Sequence, residues 1–186
     1  MDLKNIIGPP PPMQLYVLRP DVTTAPGPAV HWQLAVAEPA APASLDTVRI
    51  ALDLTPTTMD YFANAAWPDN APELVQRFLI DAFEKTGRVP VGRDTAGFAP
   101  DYLLLSELRD FEARYAQPGT PPQIVVQIEA KLMLVSQRKI IGTRNVTQAA
   151  NAQENTVNGV VVAFNRALGP ALGQIVDWVL QTPPPT

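Results

Sequence analysis

The sequence predicts a single α/β domain in which helices pack on a mixed, largely antiparallel sheet. Three observations carry this reading: several segments alternate apolar and polar residues with strand period, two others have helical period, and prolines nearly avoid both kinds. The 21 prolines gather at 9–12, 20–42, 118–122 and 183–185, where they mark tails and loops.

Residues 1–12 have no period and end in four consecutive prolines, which favours an extended tether. The domain then spans 13–181, and 182–186 form a short tail. Within the domain the first strand falls at 13–19 (Leu15, Tyr16, Val17, Leu18), closed by Pro20. A second falls at 31–37, where Trp32, Leu34 and Val36 alternate. Val48, Ile50, Leu52 and Leu54 mark a third strand at 46–54. A turn at Thr55-Pro56 leads to a shorter fourth at 57–62.

The first helix begins at Asn70, because Asn70-Ala71-Pro72-Glu73 offers an N-cap, a first-turn proline and an acid at the capping-box position. Leu74, Val75, Phe78, Leu79, Ala82 and Phe83 share one face, and Lys85 and Gly87 close the C-terminal end. Three long strands follow, at 102–115, 123–135 and 139–146, joined by short connections into an antiparallel meander. In the middle one Val126, Ile128, Ala130, Leu132 and Leu134 point one way and Gln127, Glu129 and Lys131 the other, the alternation of a sheet with one wet face. A polar stretch at 148–156 leads into a last helix from Val157 to Val179, in which Pro170 lacks the amide donor and predicts a kink.

Several function classes are set aside on composition. A net charge of −4, with no basic run, gives nothing to neutralise a phosphate backbone, so nucleic acid is not an expected partner. The absence of cysteine excludes disulfides, thiolate metal sites and cysteine nucleophiles. The single histidine, His31, lies beside a proline-rich loop and far from any acidic cluster. Ser106 lies within a strand and lacks a Gly-x-Ser-x-Gly elbow, so no Ser-His-Asp arrangement is expected. Gly87, Gly92 and Gly97 punctuate a loop with Arg88 and Arg93 but match no phosphate-binding pattern, so no nucleotide site follows.

Two groups of side chains remain. Asp110 and Glu112 share a strand face, and Glu129 comes from the neighbouring strand, which suits either acid–base work or a solvated outer face balanced by Arg109, Arg114 and Lys131; the solvated face is the expectation. Tyr61, Phe62 and Trp67 cluster just ahead of the first helix. Core packing is expected of them first, and contact with a partner or a lipid second. No catalytic, cofactor-binding or metal-binding residue emerges.

The segments 14–18, 45–52, 59–67 (Met59-Asp60-Tyr61-Phe62-Ala63-Asn64-Ala65-Ala66-Trp67), 74–79, 101–104 with 108–113, and 163–168 resemble, in order and spacing, the ABC-type transport auxiliary lipoprotein family, the PqiC-like proteins. The resemblance implies a fold similar to the N-terminal domain of TolB and a non-catalytic periplasmic subunit without cofactor. It implies partners as well: an MCE-domain protein to which the chain docks, with the permease and ATPase of the same transport system, in support of lipid transport across the cell envelope. Members carry a lipidated N-terminal cysteine that anchors them to the inner or outer membrane of a Gram-negative bacterium. Here Met1 stands in that place, so residues 2–12 are expected to begin the mature tether, and Asp2 resembles an inner-membrane retention signal of enteric bacteria. A homo-oligomer is compatible with the resemblance. The rival expectation is a stand-alone periplasmic carrier of lipid or a small molecule, which requires a closed apolar pocket beneath residues 61–67.

Overall fold

The computed structural model describes residues 10–182, so the expected tether lies outside it except for Pro10, Pro11 and Pro12, and the expected tail except for Thr182. Eight strands form one sheet: β1 (Gln14–Leu15), β2 (Leu34–Val36), β3 (Arg49–Thr55), β4 (Thr58–Ala66), β5 (Val91–Arg93), β6 (Tyr102–Arg114), β7 (Gln123–Leu134) and β8 (Lys139–Asn151). Two helices, α1 (Ala71–Thr86) and α2 (Val157–Gln181), touch each other and pack on the sheet.

The meander β6–β7–β8 is antiparallel throughout, as its short connections require. Its other flank is organised differently. β2 pairs in parallel with the start of β6 (Leu34↔Tyr102) and β3 in parallel with its end (Ala51↔Glu112), with a single bridge, Ala40↔Glu107, between them. The two short strands therefore lie end to end along one edge of β6. β4 continues outward from β3 and β1 from β4, while β5 continues outward from β2.

Two bulges aim the side chains. In β6 the register steps between Leu108 and Asp110, so Leu104 and Leu108 face the core before the bulge and Phe111 and Ala113 after it. In β4 four residues oppose the single residue Ile50, and Asn64 adopts a left-handed conformation with φ of 54°. That excursion carries the strand on to Ala66, beyond the expected end at Phe62. β1, in contrast, is shorter than expected: Met13, Leu15 and Val17 are all more than half exposed, so only two residues join the sheet.

α1 starts where its sequence predicts, but the cap chemistry differs. Asn70 makes no side-chain cap; its amide donates instead to Asp46 Oδ1 at 3.0 Å, tying the helix start to the loop before β3. Its far end follows expectation, with Gly87 at φ of 62° donating to the Glu84 carbonyl. α2 has a formed N-cap, Thr156 Oγ1 accepting from the Gly159 amide at 3.0 Å, and its helical span runs through Pro170. It is long and apolar enough to cross a membrane, yet 67% of its most apolar window is buried inside the domain, as a core helix requires.

One stripe of α2 holds the N-terminal strap, residues 19–25. Asn165 Oδ1 accepts from the Arg19 amide and Asp177 Oδ1 from the Ala25 amide, each at 2.8 Å. Between these anchors, at the same four-residue spacing, stand Gly169 and Gly173. A Cβ on Gly169 would lie 2.2 Å from the Asp21 carbonyl oxygen, and one on Gly173 would lie 2.4 Å from that of Thr23. Glycine is required at both, because the strap's backbone lies directly on the helix. Arg88 fixes the next stretch, its guanidinium donating to the carbonyls of Ala25 and Pro28.

Candidate functional site

The three aromatics singled out in sequence are not held together. Trp67 is 1% exposed and belongs to the core: its ring meets Phe164 edge-on at 5.2 Å between centroids and Phe111 at 6.1 Å, and Phe111 meets Phe164 at 4.8 Å. Tyr61 and Phe62 are half-buried on β4. The Tyr61 hydroxyl donates to the Ser44 carbonyl at 3.0 Å, and the Arg49 guanidinium stacks 3.8 Å from the ring's centre. The space around Trp67 is thus filled by rings. Five surface hollows of 180 to 380 Å³ are open to solvent, and none is lined by Tyr61, Phe62 or Trp67.

The carboxylates fall into two ionic groups on the sheet face opposite the helices. In the first, Glu129 takes Arg109 at 2.8 Å and Lys131 at 2.9 Å, with Glu107 3.6 Å from Arg109. The hydrogen bond from Lys131 leads the causes that hold the Glu129 carboxyl below its ordinary range. In the second, Arg114 gathers Glu112 at 2.6 Å, Asp110 at 3.0 Å and Asp53 at 3.6 Å. Asp110 and Glu112 come together as expected, whereas Glu129 belongs to the other group.

Glu112 corrects the expectation of a solvated face. It is 2% exposed, because its row across the sheet contains Ala51 and Val125, themselves buried, and Arg114 closes over it. Its carboxylate accepts from the Phe111 amide at 2.6 Å and from Arg114 Nε and Nη2 at 2.9 and 2.6 Å. Burial outweighs these donors and pushes its pKa up to about 6, with Asp110 adding to the rise. Burial likewise raises that of Asp53.

The consequence for stability has a definite sign. Between an ordinary carboxyl value of 4.5 and about 6 the folded chain keeps a proton that the unfolded chain has released, so stability falls as pH rises through that window. The loss is on the order of 2 kcal/mol. Glu112→Gln is expected to remove this component, and urea unfolding at pH 4.5 and 7 should show a smaller pH dependence than wild type. An unchanged pH dependence would argue against a strained Glu112.

The other candidates stand apart. His31 is exposed in a bend before β2, and Ser106 Oγ is enclosed without a hydrogen-bond partner on β6, so no nucleophile–base pair forms from them. Among the described residues no three of His, Cys, Asp and Glu are arranged to hold a metal ion.

A mixed sheet of this order, backed by two helices, defines a small α/β domain that has counterparts among solved structures. The crystal structure of protein XCC0632 from Xanthomonas campestris, of family DUF330, matches with a TM-score of 0.84 and 30% identity over 91% of this chain and 95% of that one. A second crystal structure, of an uncharacterized protein, matches at 0.68 with 16% identity, over 86% and 99% of the two chains. The chain belongs to the family of ABC-type transport auxiliary lipoprotein components, whose model matches residues 16–176. A curated relative, the uncharacterized protein bll6063 of Bradyrhizobium diazoefficiens, is 31% identical over 150 residues; the match takes in 79% of this chain but only 39% of that protein. The family is one of transport components of the bacterial envelope that carry a lipid anchor.

Proposed function

We propose that this chain is a non-catalytic, periplasmic accessory subunit of an MCE-type ABC transporter, which docks the MCE component and so supports lipid transport across the cell envelope. The observation that carries the proposal is the family match across residues 16–176, nearly the whole described domain. The structure supports it in two further ways. The core around Trp67 is packed with Phe111 and Phe164, which leaves a lipid carrier no chamber beside that ring. Glu129 is tied to Arg109 and Lys131, and Glu112 is enclosed at 2% exposure beneath Arg114, out of reach of a substrate.

On this reading the anchor is a lipid chain at the N-terminus of the mature protein, and Tyr61 and Phe62 remain candidates for partner contact. The test is to recover the full-length protein from envelope membranes of its own host and analyse its N-terminus and co-purifying proteins by mass spectrometry. The expected result is a lipidated cysteine together with an MCE-domain protein, a permease and an ATPase. An unlipidated protein recovered without them would overturn the proposal.

A further inference from the structure

We infer that the open edge of β8 accepts an extended, acidic segment of a partner protein as an added strand; this deepens the docking role proposed above and rests on it. The sheet has three outer strands, and two of them are blunted. β1 has two residues and follows Pro12 closely, and β5 has three and directly follows Pro90. β8 has 13 residues, contains no proline and, among the described residues, pairs only with β7. At strand rise it offers an edge of roughly 40 Å.

By antiparallel alternation, every second residue of β8 turns its N–H and C=O away from β7. Among the described residues, no backbone hydrogen bond outside the β7 ladder reaches 139–151. The Asn151 carbonyl, at the far end, accepts from the Arg166 side chain. From Lys139 to Ala150 the backbone edge is therefore available to another strand.

Charge selects the occupant. Residues 138–151 carry Arg138, Lys139 and Arg144 and no acidic side chain, in a chain of net charge −4. On the wet sheet face Arg109, Arg114 and Lys131 have carboxylate partners, and Arg49 stacks on Tyr61. Arg138, Lys139 and Arg144 have none among the described residues. A second copy of β8 would bring more cations and no carboxylate to the edge, so the fitting strand belongs to a different, acidic segment.

The register gives that segment a pattern. Lys139 pairs with Leu134 and Arg144 with Ala130, and the shift near Ile141 absorbs the odd spacing between them. Both cations thereby stand on the helix side of the sheet. A regular strand added alongside would meet them with two acids four residues apart on one face.

The test uses the full chain and a labelled peptide of alternating threonine and valine with two glutamates at that spacing, followed by fluorescence anisotropy. Saturable binding is expected, weakened about tenfold by the double substitution Lys139→Glu and Arg144→Glu and recovered when the glutamates become lysines. N-methylating one alternate set of peptide amides should abolish binding while methylating the other set spares it, as strand addition demands. Matching thermal unfolding of the two proteins would show that the substitutions leave the fold intact. No binding, or no difference between the two methylated sets, would overturn the inference. So would a dimer in sedimentation that the peptide displaces, because the edge would then belong to a second copy. Envelope co-purification separates this from the broader reading. If the doubly substituted protein still recovers every transport component, the edge assignment fails and the accessory role stands; if wild type recovers none, the accessory role fails.

Discussion

Gly169→Val is expected to destabilise the domain by about 3 kcal/mol, read as a lower urea midpoint with an unchanged slope. Replacing an interior helical glycine by alanine ordinarily stabilises by about 1 kcal/mol, because glycine loses the most backbone freedom on folding. Here the sign reverses. The new Cβ would lie 2.2 Å from the Asp21 carbonyl oxygen, and the strap cannot simply lift, because Asn165 and Asp177 grip the amides on either side of it. Gly169→Ala should therefore also destabilise, though by less. Removing one grip with Asn165→Ala should make the glycine substitution less costly, so the two changes together should cost less than their sum. A stabilised Gly169→Ala would show that the strap does not rest on the helix as described.

Trp67→Ala is expected to cost about 4 kcal/mol, in the range of aromatic-to-alanine deletions in close-packed cores. The indole is 1% exposed and shares its contacts with Phe111 of the central strand and Phe164 of the core helix, so its loss opens a cavity where sheet and helix meet. Tyr61→Ala should cost less, since Tyr61 is half-buried and gives up one hydrogen bond to Ser44 and its contact with Arg49. Denaturation and envelope co-purification together separate packing from partner contact. A Trp67→Ala protein of normal stability that fails to recover partners would assign the indole to recognition.

Features that depend on local period were legible from the chain alone. The first helix, the meander and the long C-terminal helix have strong periodicity over many residues, and Gly87 marks the end of the first helix by well-understood chemistry. The parallel pairings of β2 and β3 with β6 were not legible, because strand period states which residues face inward and not which strand lies alongside. β5 was missed as well: three residues, Val91, Gly92 and Arg93, are too few for a pattern, and neighbouring Gly87 and Gly97 resemble a loop. The burial of Glu112 was hidden for another reason. Asp110, Glu112 and Arg114 alternate as an exposed edge would, and only the rows across the sheet reveal Ala51 and Val125 on either side of Glu112. The β8 edge follows the same logic, since nothing in its own residues announces that, among the described residues, β7 is its one neighbour.

The end-to-end placement of β2 and β3 along β6 also sets an order in time. Neither strand has a β6 partner until residues 102–114 are present, so a chain emerging N-terminus first carries its opening half without the template on which it is assembled. The strap waits longer still, because its seat on α2 comes from residues 165–177. The domain is thus expected to close only after almost all of it has been released, with the pairings of β2 and β3 to β6 and the seat of the strap among the last contacts to form.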